Sequence, residues 1–231
     1  WVSYLLVRYI LDKEKGSYDV VNFHIAYPLC VYLKKLRKYI SKPIVITEHW
    51  SAYHYHFGIK GSKKLEKIKR IFGYADKIVT ISEALKRDII DFSGKFDLDF
   101  AVVPNIVDTE IFYYEPRKIE QLRFFMVSQW KYPKNPASVI RAFKDLKELY
   151  PDALLRIGGY GPQENEIKNL IDQLNLGGSI FYLGKLNSQQ IAEEMRCSTA
   201  LVHISEYETF SVVCAESICC GCPVIASDVG G

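Results

Sequence analysis

Two carboxylates carry the most chemistry in this chain. Glu208 and Glu216 stand eight positions apart, with Thr209-Phe210-Ser211-Val212-Val213-Cys214-Ala215 between them. The apolar stretch predicts the start of a buried helix, and Gly221-Cys222-Pro223 predicts the break before a short strand, Val224-Ile225-Ala226. Eight residues at about 3.6 per turn leave two positions about 80° apart, so the pair cannot share one helical face. Glu208 is therefore expected in a loop and Glu216 in the helix that follows. Phe210 and Ser211 then fall at the helix N-terminus, where unpaired N–H groups favour an anion. A ligand with hydroxyls at one end and phosphate in the middle suits this arrangement, and a nucleotide-sugar is such a ligand.

The elements needed to hold these residues read as two rounds of strand and helix. Helices are expected at 1–15, 29–40, 65–74 and 83–92, the last capped by Ser82. Strands are expected at 19–24, 43–47, 77–81 and 99–103. The aperiodic segment Thr109 to Glu120 reads as a linker, placing one domain at 1–114 and a second at 115–231. The second round has strands at 122–128, 153–157, 179–183, 199–204 and 224–227. Its helices are expected at 137–150, from Pro162 to 174, and from a Ser188 cap to 196. Gly158-Gly159-Tyr160-Gly161 is expected to stop the strand before it. Such alternation predicts an α/β fold with parallel sheets, whose ligands bind at the C-terminal ends of the strands.

The bulk properties set limits. The 231 residues are 48% hydrophobic and 25% charged, enough for a sizeable core. A net charge of +3 is too small to argue for nucleic acid, and no apolar run of about 18 residues predicts a transmembrane helix. Trp1 to Leu6 lacks a signal-peptide cleavage pattern, so the chain is expected to begin inside a longer product. The six cysteines lack paired metal spacing and read as buried thiols of a reducing, cytoplasmic environment.

Seven segments, taken in order, resemble the retaining GT-B glycosyltransferases of the family-4, or group 1, type. They are Ile46-Thr47-Glu48-His49, Ala75 to Glu83, Val103 to Asp108, Ile157 to Pro162, Phe181 to Lys185, the Glu208…Glu216 stretch, and Gly221 to Ala226. The resemblance implies two Rossmann-like domains facing a cleft, truncated at both ends of this chain, with the acceptor bound by the first and the nucleotide-sugar by the second. It implies catalytic roles for His49, Lys134 and Glu208, and donor binding by Gln129, Lys131, Lys185, Phe210, Ser211 and Glu216. Glu216 would hold ribose, Glu208 the donor sugar, and Phe210 with Ser211 the diphosphate. The chain departs from the pattern at Gln129, where the family has Arg five positions before its Lys. One lost charge-assisted contact is worth roughly 1.5–3 kcal/mol, and Lys131 is the nearby candidate to replace it.

The implied activity is metal-independent transfer of a hexosyl unit from a UDP- or GDP-sugar to a glycan or lipid-linked acceptor, in cell-surface polysaccharide synthesis. No cofactor is implied, since the nucleotide-sugar is a substrate. The alternatives are a catalytically impaired nucleotide-sugar-binding module and a nucleotide-sugar epimerase of the same fold. His49, His54 and His56 have the residue type for a metal site but no acidic or cysteine partner, so an aromatic acceptor-side loop is expected there. Asp97-Leu98-Asp99 precedes a strand and reads as a solvated turn. The basic stretches Lys34 to Lys42 and Lys60 to Arg70 suggest peripheral contact with an anionic membrane face.

Overall fold

The computed structural model describes residues 2–14, 17–58, 63–118 and 120–231, so Lys60 and the helix end expected at Gly16 lie outside it. The chain forms two compact units, Trp1–Asn105 with Gly230–Gly231, and Ile106–Val229. The division falls ahead of the 114/115 boundary read from the sequence. Phe112, inside the expected linker, is buried in the core of the second unit with Phe125, Met195 and Leu201.

The first unit has strands β1 (Val21–His24), β2 (Ile44–Glu48), β3 (Lys77–Thr80) and β4 (Phe100–Val102). They form a four-stranded parallel sheet in the order β1-β2-β3-β4. The helices are α1 (Val2–Lys13), α2 (Leu33–Leu36), α3 (Lys63–Lys69) and α4 (Glu83–Ser93). Ile44, Ile46, Ile78, Leu85, Ile89 and Phe92 are buried where α4 and the sheet supply apolar side chains at their own periods. The Ser82 Oγ accepts the Leu85 N–H at 3.1 Å, and Gly94, at φ 67°, ends α4 in the left-handed conformation that glycine adopts without strain. The helix expected over 29–40 is instead a 3-10 turn, Leu29–Tyr32, followed by the single turn of α2. Arg37 donates to the Lys42 carbonyl at 3.1 Å and to Asp76 at 2.8 Å. Tertiary contacts thus bend the chain back toward β2 where periodicity alone would extend the helix.

The second unit has strands β5 (Arg123–Gln129), β6 (Leu154–Tyr160), β7 (Ile180–Gly184), β8 (Ala200–His203) and β9 (Val224–Ala226). They form a five-stranded parallel sheet in the order β7-β6-β5-β8-β9. The helices are α5 (Pro136–Leu149), α6 (Glu164–Gln173), α7 (Ser188–Arg196) and α8 (Val212–Cys219). Three details differ from expectation. Pro162 lies outside α6, whose N-cap is Gln163 and which begins at Glu164. Asn187, not Ser188, caps α7, because its side chain accepts the Gln190 N–H while the Gln190 side chain accepts the Asn187 N–H, both at 2.9 Å. And β6 does not stop at its glycines but runs through Tyr160, pairing Ser128 with Gly159 and Gln129 with Tyr160. A Cβ on Gly159 would lie 2.0 Å from the Ser128 carbonyl oxygen, so the glycines let two strand ends approach rather than breaking one.

All six cysteines are free, with Cys30, Cys220 and Cys222 buried. Among the described residues no helix is long and apolar enough to cross a membrane.

Candidate donor-binding site

In the second unit the chain works outward from β5 through β6 to β7, then crosses back to β8 on the other side of β5. Loops leaving the C-terminal ends of β5 and β8 therefore diverge from one crevice, the usual ligand position in an open parallel sheet. Here the two loops are joined by backbone bonds. The Asn135 N–H donates to the Ile204 carbonyl at 3.2 Å, and the Glu206 N–H donates to the Pro133 carbonyl at 3.0 Å. Asn135 also caps α5 by accepting the Ser138 N–H at 3.2 Å. Lys134 is held between these anchors.

This brings Lys134 against Glu208, 74 positions later in the chain. A third residue completes the contact. The Nε2 of His203, at the end of β8, lies 2.8 Å from Glu208 Oε1 and 3.2 Å from Lys134 Nζ. Burial alone would raise the pKa of Glu208. The hydrogen bonds from His203 and Lys134 outweigh it and hold the carboxyl below its ordinary range. Lys134 and Glu208 thus meet at one sheet edge, together with a histidine that the sequence analysis did not single out.

Glu208 lies in the loop and Glu216 inside α8. Ser211 stands directly before α8 with a left-handed backbone, φ 59°, and its side chain does not cap the helix. Its Oγ lies 3.1 Å from Cys214 Sγ instead. The Cys214 and Ala215 N–H groups donate to the Ser211 carbonyl at 3.1 and 3.4 Å, which leaves those of Val212 and Val213 at the helix start, and no side chain caps them among the described residues. Phe210 is half-buried beside Ser211. Glu216 is half-buried with no side-chain partner among the described residues, and burial pushes its pKa up to about 7. Such a carboxylate is suited to accept hydrogen bonds from hydroxyl groups.

The remaining candidates are more dispersed. Gln129 ends β5 and is exposed, and Lys131 is exposed two residues on. Lys185 follows β7, with its Nζ over the Tyr160 ring at 5.2 Å from the centroid. It shares the C-terminal sheet edge with Lys134, but β6 stands between their strands.

His49 belongs to the first unit. It follows β2 and lines a cavity of 490 Å³ with His24, Ile25, Tyr27, Pro28, Leu29 and Trp50. Its Nε2 lies 3.4 Å from His24 Nδ1, with the ring planes 10° apart and the centroids 5.7 Å apart. So wide a centroid spacing with so short a nitrogen gap means the rings meet edge to edge, not face to face. Desolvation, then the neighbouring His24, lowers the His49 pKa and favours a neutral imidazole. Beneath it Glu48 is fully buried. Its carboxylate accepts N–H groups from Ala26, His49 and Trp50 and the hydroxyl of Tyr53. Glu48 thus ties the turn after β1 to the turn after β2 and shapes the cavity.

Within the expected aromatic loop, Tyr53 is buried in the core while Trp50 is exposed. The three histidines do not converge. His54 lies 3.1 Å from Asp88, and His56 packs its ring against Phe92. Among the described residues no group of three His, Cys, Asp or Glu side chains is arranged to hold a metal. The residues overlooked from the sequence are Glu48, His24 and His203. Each is the last residue of its strand, a polar side chain at the C-terminal edge of a parallel sheet, which is the one signal that marked them.

Two parallel sheets clothed in helices, with a crevice between β5 and β8, define a GT-B glycosyltransferase fold. The chain belongs to the glycosyl transferases group 1 family, whose model matches residues 109–231, while the model for glycosyltransferase family 4 matches residues 1–111. Among curated proteins it is 27% identical to N-acetyl-alpha-D-glucosaminyl L-malate synthase of Bacillus anthracis, over 94% of this chain and 58% of that protein. It is 22% identical to a glycogen synthase of Mycobacterium tuberculosis, over 92% of this chain and 53% of that protein. The chain thus spans little more than half the length of these relatives. Among solved structures, Anabaena HepE in complex with UDP-glucose superposes with a TM-score of 0.77 at 21% identity, over 98% of this chain and 64% of that one. That likeness concerns the fold.

Proposed function

We propose that this chain is the core of a retaining, metal-independent hexosyltransferase that uses a UDP- or GDP-sugar and glycosylates a glycan or lipid-linked acceptor. One observation carries the proposal. The N-terminus of α8, without a side-chain cap, is flanked by a loop carboxylate, Glu208, and by a helix carboxylate, Glu216, that has no side-chain partner among the described residues, with Lys134 at the same edge. The helix N-terminus and Lys134 would receive the diphosphate, Glu216 the ribose hydroxyls, and Glu208 the donor sugar. In the transfer, the bond from the anomeric carbon to the phosphate oxygen breaks, and its electron pair stays with the nucleoside diphosphate. The acceptor hydroxyl oxygen bonds to the anomeric carbon on the same face, and its proton ends on the departing phosphate. Lys134 and the α8 N–H groups meet the charge that develops on that phosphate. The neutral His49, to which the family resemblance gives a catalytic role, stands at the C-terminal end of β2 beside the first unit's own cavity, and the exposed lysines of α2 give an anionic, lipid-bearing surface something to attract.

A second reading, a binding module with little turnover, is favoured by Gln129, which supplies no charge where the family has Arg. Incubating the full-length protein with radiolabelled UDP- and GDP-sugars and candidate acceptors decides between them. Transfer supports the enzyme. Binding with neither transfer nor hydrolysis supports the module, and no binding at all rejects both.

A further inference from the structure

His203 is 4% exposed, and its ring sits between the two charged residues of the site. The geometry fixes where its proton is. A bare Nε2 lone pair facing a carboxylate oxygen at 2.8 Å would be repelled, so Nε2 carries hydrogen and donates to Glu208 Oε1. Lys134 Nζ, itself only a donor, comes within 3.2 Å of that nitrogen because both aim at the same oxygen. Glu208 therefore has two cationic or N–H partners. Cys214 is a further titratable side chain that faces it, from α8, and burial keeps that thiol neutral.

The pairing creates a conflict. An ammonium drawn toward a carboxylate is not fully available to a phosphate. A diphosphate bound at the α8 N-terminus would draw Lys134 away, and a half-buried Glu208 left without a partner would be costly to keep ionised. We infer that His203 is a positioning residue that holds Glu208 ionised and in place when Lys134 moves to the phosphates of a bound nucleotide. This rests on the diphosphate-facing role given to Lys134 above. The histidine is the partner that stays, because its ring is buried at the end of β8 while Lys134 carries its ammonium on a long, rotatable stem.

The test follows the Glu208 carboxyl by carbon-13 NMR in the full-length, ligand-free protein, with the signal assigned by its loss in Glu208→Gln. Lys134→Met removes the lysine without needing any ligand. In that variant Glu208 should still titrate below the ordinary carboxylate range. Adding His203→Leu should move its titration above that range, and adding His203→Gln, whose amide N–H reaches the same oxygen, should bring it back down. A high titration in Lys134→Met alone, or a low one in the leucine double variant, overturns the inference, as does failure of the glutamine to restore it. Should the double variants not fold, His203→Leu and His203→Gln are compared in the native background, where Lys134 still pairs with Glu208, so that a smaller rise is expected for leucine and none for glutamine. With UDP as probe, the Lys134 Nζ signal should shift while Glu208 stays ionised in the native protein. If neither UDP nor GDP binds, the proposed function fails, and the ligand-free titrations still decide the role of His203. In turnover, His203→Leu should lower kcat about tenfold at unchanged donor KM, and His203→Gln should recover most of it. Loss of KM and kcat together in both variants would indicate a merely structural residue.

Discussion

The Tyr53 hydroxyl donates a 2.6 Å hydrogen bond to Glu48 Oε1, and neither residue has any exposure to solvent. Burial raises the Glu48 pKa despite four hydrogen bonds that work against it. Removing the hydroxyl in Tyr53→Phe leaves one acceptor site short of a partner, and should cost about 1–3 kcal/mol in urea unfolding. Glu48→Ala should cost more, about 3 kcal/mol or above, because it also strips the N–H groups of Ala26, His49 and Trp50 of their acceptor. Equal losses in the two variants would mean that Glu48 does not tie the two turns together.

Glu216 gives a pH-dependent prediction. Its carboxyl is raised from 4.5 to about 7 by burial alone. The folded state therefore holds a proton that the unfolded chain gives up, and its contribution to stability falls as pH rises from 4.5 toward 7. Glu216→Gln should be nearly neutral at about pH 4. At about pH 8 it should stabilise the fold by about 1–2 kcal/mol, a figure discounted for partial exposure. The same variant should bind UDP more weakly, because an amide offers hydroxyl groups one acceptor fewer than a carboxylate. A variant no more stabilised in alkaline than in acidic buffer, by thermal melting, would refute the desolvated carboxylate.

The missing cation makes opposite predictions for two neighbours. Gln129→Arg should tighten UDP binding and raise turnover by about tenfold, the scale of one charge-assisted contact. Lys131→Ala should weaken both by a similar factor if that lysine stands in for the arginine. Calorimetric titration with UDP reads the affinities. Unchanged affinity and turnover in Lys131→Ala would remove Lys131 from the site.

Gly159 has φ 128°, and the Ser128 carbonyl occupies the space its Cβ would need. Gly159→Ala should therefore destabilise the second unit by about 2–4 kcal/mol and disturb the strand ends that carry Gln129 and Lys131. Gly177→Ala, where nothing lies within 4 Å, is the control and should change little. Similar unfolding midpoints for the two would contradict the close approach of β5 and β6.

Much of the architecture was legible because it rests on short-range physics. The alternation of apolar runs and amphipathic stretches placed the described strands close to where the chain forms them. The Ser82 cap was readable because a hydroxyl and the N–H three residues on meet through local geometry alone. The separation of Glu208 from Glu216 into loop and helix followed from helical pitch. Other features were not local. The segment after Leu29 keeps a helical pattern, yet Arg37 binds Asp76 and the chain turns away. The glycines of β6 looked like a stop, although their function is to admit a neighbouring strand.

Sequence by itself determined the residue types of the site and their order along the chain, because loop, cap and helix positions are set within a few residues. Only the tertiary structure decided how those residues are charged and paired. Lys134 meets Glu208 because two loops, 74 positions apart at these residues, are bonded to each other at a strand crossover. His203 joins them because β8 ends beneath that loop, while burial in α8 raises the Glu216 carboxyl with no described partner to offset it. Ionisation depends on burial and on partners brought from far along the chain, and neither is written in the spacing of neighbouring residues.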